Sequence, residues 1–79
     1  MALKLLNKMI PGEKGKIARI RGKPDIHRRL SRMGLVVGRF ICVENSSSFT
    51  DVCPIVVSIG RLTLSVDLTQ AANVYVDLV

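Results

Sequence analysis

The sequence predicts an all-β fold with one short helix: a small β-barrel of about five strands. Three observations carry that expectation. Short runs of Val, Ile and Leu alternate with polar residues at close spacing, with glycines at the corners between them. Aromatic residues are 4% of a chain that is 48% hydrophobic, so the core has to be aliphatic and rich in β-branched side chains. A chain of 79 residues has room for one core, so residues 1–79 are expected to form a single domain. Closing the sheet would also remove the edges that open strands expose.

The elements follow in order. "PGEKGKIARIRGKP" opens with a Pro11-Gly12 turn, carries a second glycine at Gly15, and marks a strand with Ile17 and Ile20 that Gly22 and Pro24 end. Ile17 and Ile20 differ in parity, which calls for a bulge or for one half-buried isoleucine. In "DIHRRLSRMGLVVG", residues 25–38, Ile26, Leu30 and Met33 recur at i, i+4 and i+7, the apolar stripe of a helix of about two turns. Asp25 stands where its carboxylate can cap that helix, and Gly34 where a left-handed residue can close it. Arg28 and Arg32 then lie opposite the stripe, with Arg29 on its border.

"GLVVG" makes a tight connection into "RFICVE", a strand with Ile41 and Val43 on one face. "NSSSFTD" is a polar loop, and "PIVVSI" returns with Ile55, Val57 and Ile59 inward. Gly60 turns into "RLTLSV", where Leu62, Leu64 and Val66 alternate with Thr63 and Ser65. "DLTQAAN" reads as one helical turn, capped by Asp67 or Thr69 and ended by Asn73. "VYVDL" closes the chain as a strand with Val74 and Val76 on one face.

The net charge is +6, and its distribution is uneven. Residues 1–40 carry eleven Lys and Arg against Glu13 and Asp25, while residues 41–79 carry Arg61 against Glu44, Asp51, Asp67 and Asp77. A basic half of this kind suits an acidic protein, a phosphate backbone or an anionic membrane surface. Lys14, Lys16, Arg21 and Lys23 would extend the patch formed by Arg28, Arg29 and Arg32 if the fold brings them to one side.

Other chemistries find little footing. The longest apolar run, Phe40 to Val43, is far below the roughly 18 residues of a membrane span. Lys4, Asn7 and Lys8 interrupt any signal-peptide pattern at the start, so a cytoplasmic location is expected. Cys42 and Cys53 lack metal-knuckle spacing, and strand parity points them to opposite sides, so both are expected as reduced thiols. His27 has no second ligand at helical spacing, and no residue set stands out as a site for iron or zinc. No paired carboxylates, nucleophile with a base, or GxxxxGK[ST] loop is present, so neither catalytic residues nor a cofactor is expected.

Taken together, "PGEKGKIARIRG", "DIHRRLSRMGLVVG" and "RLTLSVDLTQAANVYV" resemble the FeoA family of bacterial ferrous iron uptake. The matching positions are Pro11, Gly12 and Gly15; Arg28, Arg29, Leu30, Met33, Gly34, Leu35 and Gly38; and Leu62, Leu64, Ala71 and Ala72, with Leu6 and Met9 as the apolar lead-in. The polar, serine-rich "ENSSSFTDVCP" departs from the basic, glycine-containing loop of many members. The resemblance implies an SH3-like barrel that is not an enzyme. It also implies a partner, the cytosolic GTPase-containing part of the membrane permease FeoB, and links the chain to a transition metal through its pathway. On this reading Arg28, Arg29, Arg32, Leu35 and Val36 form the docking surface, with charge steering the encounter and apolar contacts completing it. The alternative is a small basic barrel that binds RNA or DNA. Phe40, Phe49 and Tyr75 are scattered and not interleaved with the basic patch, so nucleic acid is not the expected partner.

Overall fold

Period-2 alternation places Ile41 and Val43, then Ile55, Val57 and Ile59, then Val74 and Val76 in one aliphatic core. A computed structural model describes residues 2–45 and 55–79. In chain order the elements are β1 (Leu3–Leu5), a 3₁₀ turn (Leu6–Lys8), β2 (Lys14–Ile20), α1 (Pro24–Arg32) and β3 (Phe40–Asn45). Then come β4 (Ile55–Ile59), β5 (Leu62–Val66), α2 (Leu68–Ala71) and β6 (Val74–Leu78). The strands form one antiparallel sheet in the order β1-β6-β2-β3-β4-β5, with the helices outside the ladder.

The sheet has six strands where the sequence pattern shows five. The additional one, β1, is three residues long and pairs Leu3, Lys4 and Leu5 with Asp77, Val76 and Tyr75. Three residues are too few for alternation to be visible. Hydrogen-bonded pairing also leaves β1 and β5 as the ends of the ladder among the described residues, so the expected removal of edges is incomplete.

Several local expectations hold for physical reasons. The parity break between Ile17 and Ile20 is a bulge: pairing with β6 slips between Ile17 and Arg19. Ile17 is buried and Ile20 is half-buried. Gly15, the second residue of β2, sits between Ile41 of β3 and Leu78 of β6. There a Cβ would overlap the Asp77 carbonyl oxygen and lie 2.8 Å from Val76 Cγ1. Leu62 departs from its expected inward place. It is 58% exposed, Leu64 is half-buried, and only Val66 of that strand is buried. Burial along β5 thus falls from Val66 through Leu64 to Leu62, toward the Gly60-Arg61 turn.

Asp67 does occupy the position before α2 but makes no side-chain capping bond, and Thr69 lies within the helix. Asn73 closes the turn by donating from Nδ2 to the Thr69 carbonyl at 3.1 Å. Cys42 is a half-buried free thiol. The serine-rich loop from residue 46 onward and the facing of Cys53 lie outside the described residues. No helix among those residues is long and apolar enough to cross a membrane.

Glu13 ties the Pro11-Gly12 turn to β1. Its Oε1 accepts from Lys4 Nζ at 2.9 Å and from the Ile10 N–H at 2.8 Å. The Lys4 hydrogen bond, then the Ile10 N–H, hold the carboxyl below its ordinary range. A carboxylate with a depressed folded-state pKa stabilises the fold above the unfolded value, and that share is lost as pH falls through the folded value. Glu13→Gln should therefore lower the urea midpoint near neutrality and have a smaller effect below about pH 4. Equal effects at both pH values would show that the ionised form of Glu13 carries none of the stability.

Candidate functional site

The candidate site is built on α1 and its exit. Pro24 fixes the first turn, and Lys23 precedes the helix in extended backbone. Neither Lys23 nor Asp25 supplies a side-chain cap. Asp25 lies one position inside the helix instead, and its Oδ1 accepts from Arg28 Nη2 at 2.8 Å. Both side chains are well exposed, at 80% and 72%, so this is a weak surface pair. Leu30 is buried in the core, with Ile26 and Met33 packed against it as the stripe requires.

The end of α1 is a Schellman motif. Leu35 N–H donates to Leu30 O at 2.9 Å, Gly34 N–H to Ser31 O at 3.0 Å, and Gly34 has φ +97°. Its hydrophobic partners are Leu30 and Leu35, both fully buried. Leu35 is therefore a core residue and cannot belong to a docking surface as the sequence reading had it. Val36 and Val37 stay outside, 39% and 55% exposed. Gly38 N–H to Ile17 O at 2.8 Å and Ile17 N–H to Arg39 O at 2.8 Å fasten this segment to β2. Gly34→Ala should cost about 1 kcal/mol, because an L side chain is strained at that φ while nothing crowds the position. An unchanged denaturation midpoint would contradict this reading of the helix end.

Arg28, Arg29 and Arg32 do come together. With Asp25 and Met33 they line one shallow recess on the outside of α1. Arg29 and Arg32 lie in the last turn, where a cation is favoured by the helix dipole. Arg28 is the one arginine of the three in an ion pair among the described residues. On the other flank of α1, His27, Arg19, Ile20, Val36 and Val37 border a groove against β2. Val37, Arg19 and Ile20 are not in the set named from the sequence. A partial signal for Val37 was available: Gly34 and Gly38 bracket a three-residue connection too short to bury Leu35, Val36 and Val37 together.

The other cations do not join this recess. Lys14 lines a separate depression with Phe40, Cys42 and Val79. Lys16 Nζ lies 5.7 Å from the Phe40 ring centre. Arg21 Cζ lies 5.6 Å from the Tyr75 ring centre, and Arg21 Nη1 donates to Tyr75 Oη at 3.1 Å. Cations and aromatics that are scattered in the sequence thus meet across strands, at two places away from α1. Among the described residues no three His, Cys, Asp or Glu side chains gather closely enough to hold a metal ion.

Comparison with known proteins adds the following. The family model for the FeoA domain matches residues 4–78. No curated protein sequence matches. Among solved structures, the chain is similar to an iron uptake regulatory protein (FeoA), with TM-score 0.91 and 29% identity over 99% of this chain and 100% of that one. It is similar to iron(II) transport protein A from Clostridium thermocellum, with TM-score 0.85 and 28% identity over 96% of this chain and 46% of that one. A third structure, Stenotrophomonas maltophilia FeoA complexed with zinc, is described as a prokaryotic SH3 domain protein. It matches at TM-score 0.73 and 20% identity, over 91% of this chain and 87% of that one, and shows a shared SH3-like fold.

Proposed function

The chain belongs to the FeoA domain family, which is associated with ferrous iron transport, and from that premise we propose that it is a small accessory protein of bacterial ferrous iron uptake. It acts without catalysis, on the cytosolic side, by docking on the GTPase-containing part of the permease FeoB. The Stenotrophomonas maltophilia relative is described as a candidate activating factor for bacterial ferrous iron transport, which supports an effect on the transporter itself.

The observation that carries this reading is the outer face of α1. Arg28, Arg29 and Arg32 converge on one recess, and Arg29 and Arg32 make no ion pair among the described residues. Arginine is the cation that binds carboxylates with two parallel hydrogen bonds, and such pairing fixes orientation as well as sign. Val36, exposed at the helix exit and bordering the groove on the other flank of α1, adds apolar area to the contact. Deleting the chain from bacterial cells should reduce ferrous iron uptake while the permease remains in the membrane. Uptake at the normal rate would contradict the proposed role.

A further inference from the structure

We propose that the chain forms a two-fold homodimer in which β5 pairs antiparallel with β5 of a second copy, the axis passing through Leu64. Three independent features of this edge lead there: its unguarded backbone, its uncovered leucine, and the self-complementarity of its register.

β5 ends the ladder, paired with β4 alone among the described residues. Its five residues, Leu-Thr-Leu-Ser-Val, keep regular register from Ile59↔Leu62 to Ile55↔Val66. Within them there is no proline, charge or bulge, the devices that ordinarily blunt a free edge. The opposite end, β1, is three residues long and carries Lys4. The β4–β5 connection is the two-residue turn Gly60-Arg61, with Gly60 at φ +61°. Its closing pair, Ile59 and Leu62, is hydrogen-bonded, so alternation directs the amides of Leu62, Leu64 and Val66 to β4 and those of Thr63 and Ser65 outward.

Leu62 has the parity of the core face yet is 58% exposed, and Leu64 beside it is half-buried. A second strand at this edge would cover both. With the axis at Leu64, Thr63 faces Ser65 of the second copy, and these are the residues whose amides point outward. Leu62 faces Val66, and Leu64 faces itself. One step further out, Arg61 faces Asp67 of the second copy, twice by symmetry. Arg61 is the only cation in residues 41–79, and neither it nor Asp67 forms an ion pair among the described residues. Moving the axis to Thr63 or Ser65 separates Arg61 from Asp67. Charge complementarity therefore selects both a single register and a second copy of this chain as the occupant. Five paired residues a side make a small interface, so the dimer is weak and concentration-dependent.

Sedimentation equilibrium of the full chain, from about 10 µM to about 1 mM, tests the proposal. The wild type should shift from monomer toward dimer across that range. Thr63→Pro removes an outward N–H without touching the β4 ladder and should abolish the shift while the circular dichroism spectrum stays native. Arg61→Asp and Asp67→Arg each create two like-charge contacts and should weaken self-association at least about tenfold. An equimolar mixture of those two variants restores both opposite-charge contacts and should recover the dimer. If Thr63→Pro fails to fold, the mixture alone decides. A wild type that is monomeric throughout, a dimer that survives in folded Thr63→Pro, or a mixture no more associated than its components would overturn the proposal. A monomer whose edge instead takes up an extended segment of another protein would overturn it equally.

Discussion

Reversing Arg29 and Arg32 together to glutamate should weaken binding to the cytosolic part of the permease by about tenfold or more, with the fold retained. Both guanidinium groups project from the last turn of α1, exposed, without an ion pair among the described residues. The double reversal changes the local charge by four units, enough to turn steering into repulsion. Arg28 is left in place because its bond to Asp25 makes its replacement a change within the molecule as well as at its surface. Placing two carboxylates at a helix C-terminus opposes the dipole and should cost about 1 kcal/mol of stability. The variant should therefore give a native circular dichroism spectrum and a slightly lower melting temperature. The loss of affinity should come chiefly from slower association and should shrink at high salt. Wild-type affinity in a folded variant would remove the α1 arginines from the interface.

Gly15→Ala should have the largest effect on stability. At this position the backbone of β6 approaches β2 so closely that a methyl group would meet the Asp77 carbonyl and the buried Val76 side chain. Two backbones joined by a hydrogen-bonded ladder cannot separate locally, so accommodation requires a shift of β6. A cost on the order of 3 kcal/mol is expected. A chain of 79 residues has a total stability of roughly 4–12 kcal/mol, so that loss should be plain in a urea titration. Gly12→Ala is the control. Gly12 has φ +92° with nothing within 4 Å of an added Cβ, so only backbone strain of about 1 kcal/mol applies. Similar midpoints for the two variants would show that close approach is not why β2 carries glycine at position 15.

The parts of this fold that a reader of the sequence can see are those where local pattern and burial agree. Ile41 and Val43, and Ile55, Val57 and Ile59, alternate and are buried. Ile26, Leu30 and Met33 repeat at helical spacing and pack on one side of α1, and Gly34 ends the helix in the left-handed conformation. What stays hidden is decided by tertiary pairing. β1 exists because three residues find β6, seventy positions away in the chain. Leu62 alternates correctly but lies in the strand that ends the sheet among the described residues, and it is left exposed. Within the candidate site, Arg28, Arg29 and Arg32 were legible because one helix face gathers them. Leu35 was misplaced because a Schellman turn sends the residue after its glycine back to the helix stripe, leaving Val36 and Val37 outside. The Lys16–Phe40 and Arg21–Tyr75 pairs were invisible because strands far apart in the chain bring them together.

One titration bears most directly on the central claim that the cationic face of α1 meets a protein of the transport system. The chain should be titrated against the cytosolic part of the permease and, separately, against single-stranded RNA of mixed sequence, each at low and high salt. Saturable binding to the permease fragment that weakens as salt rises, with little binding to RNA, is the predicted result. Tight, steeply salt-dependent binding to RNA with none to the permease fragment would contradict it.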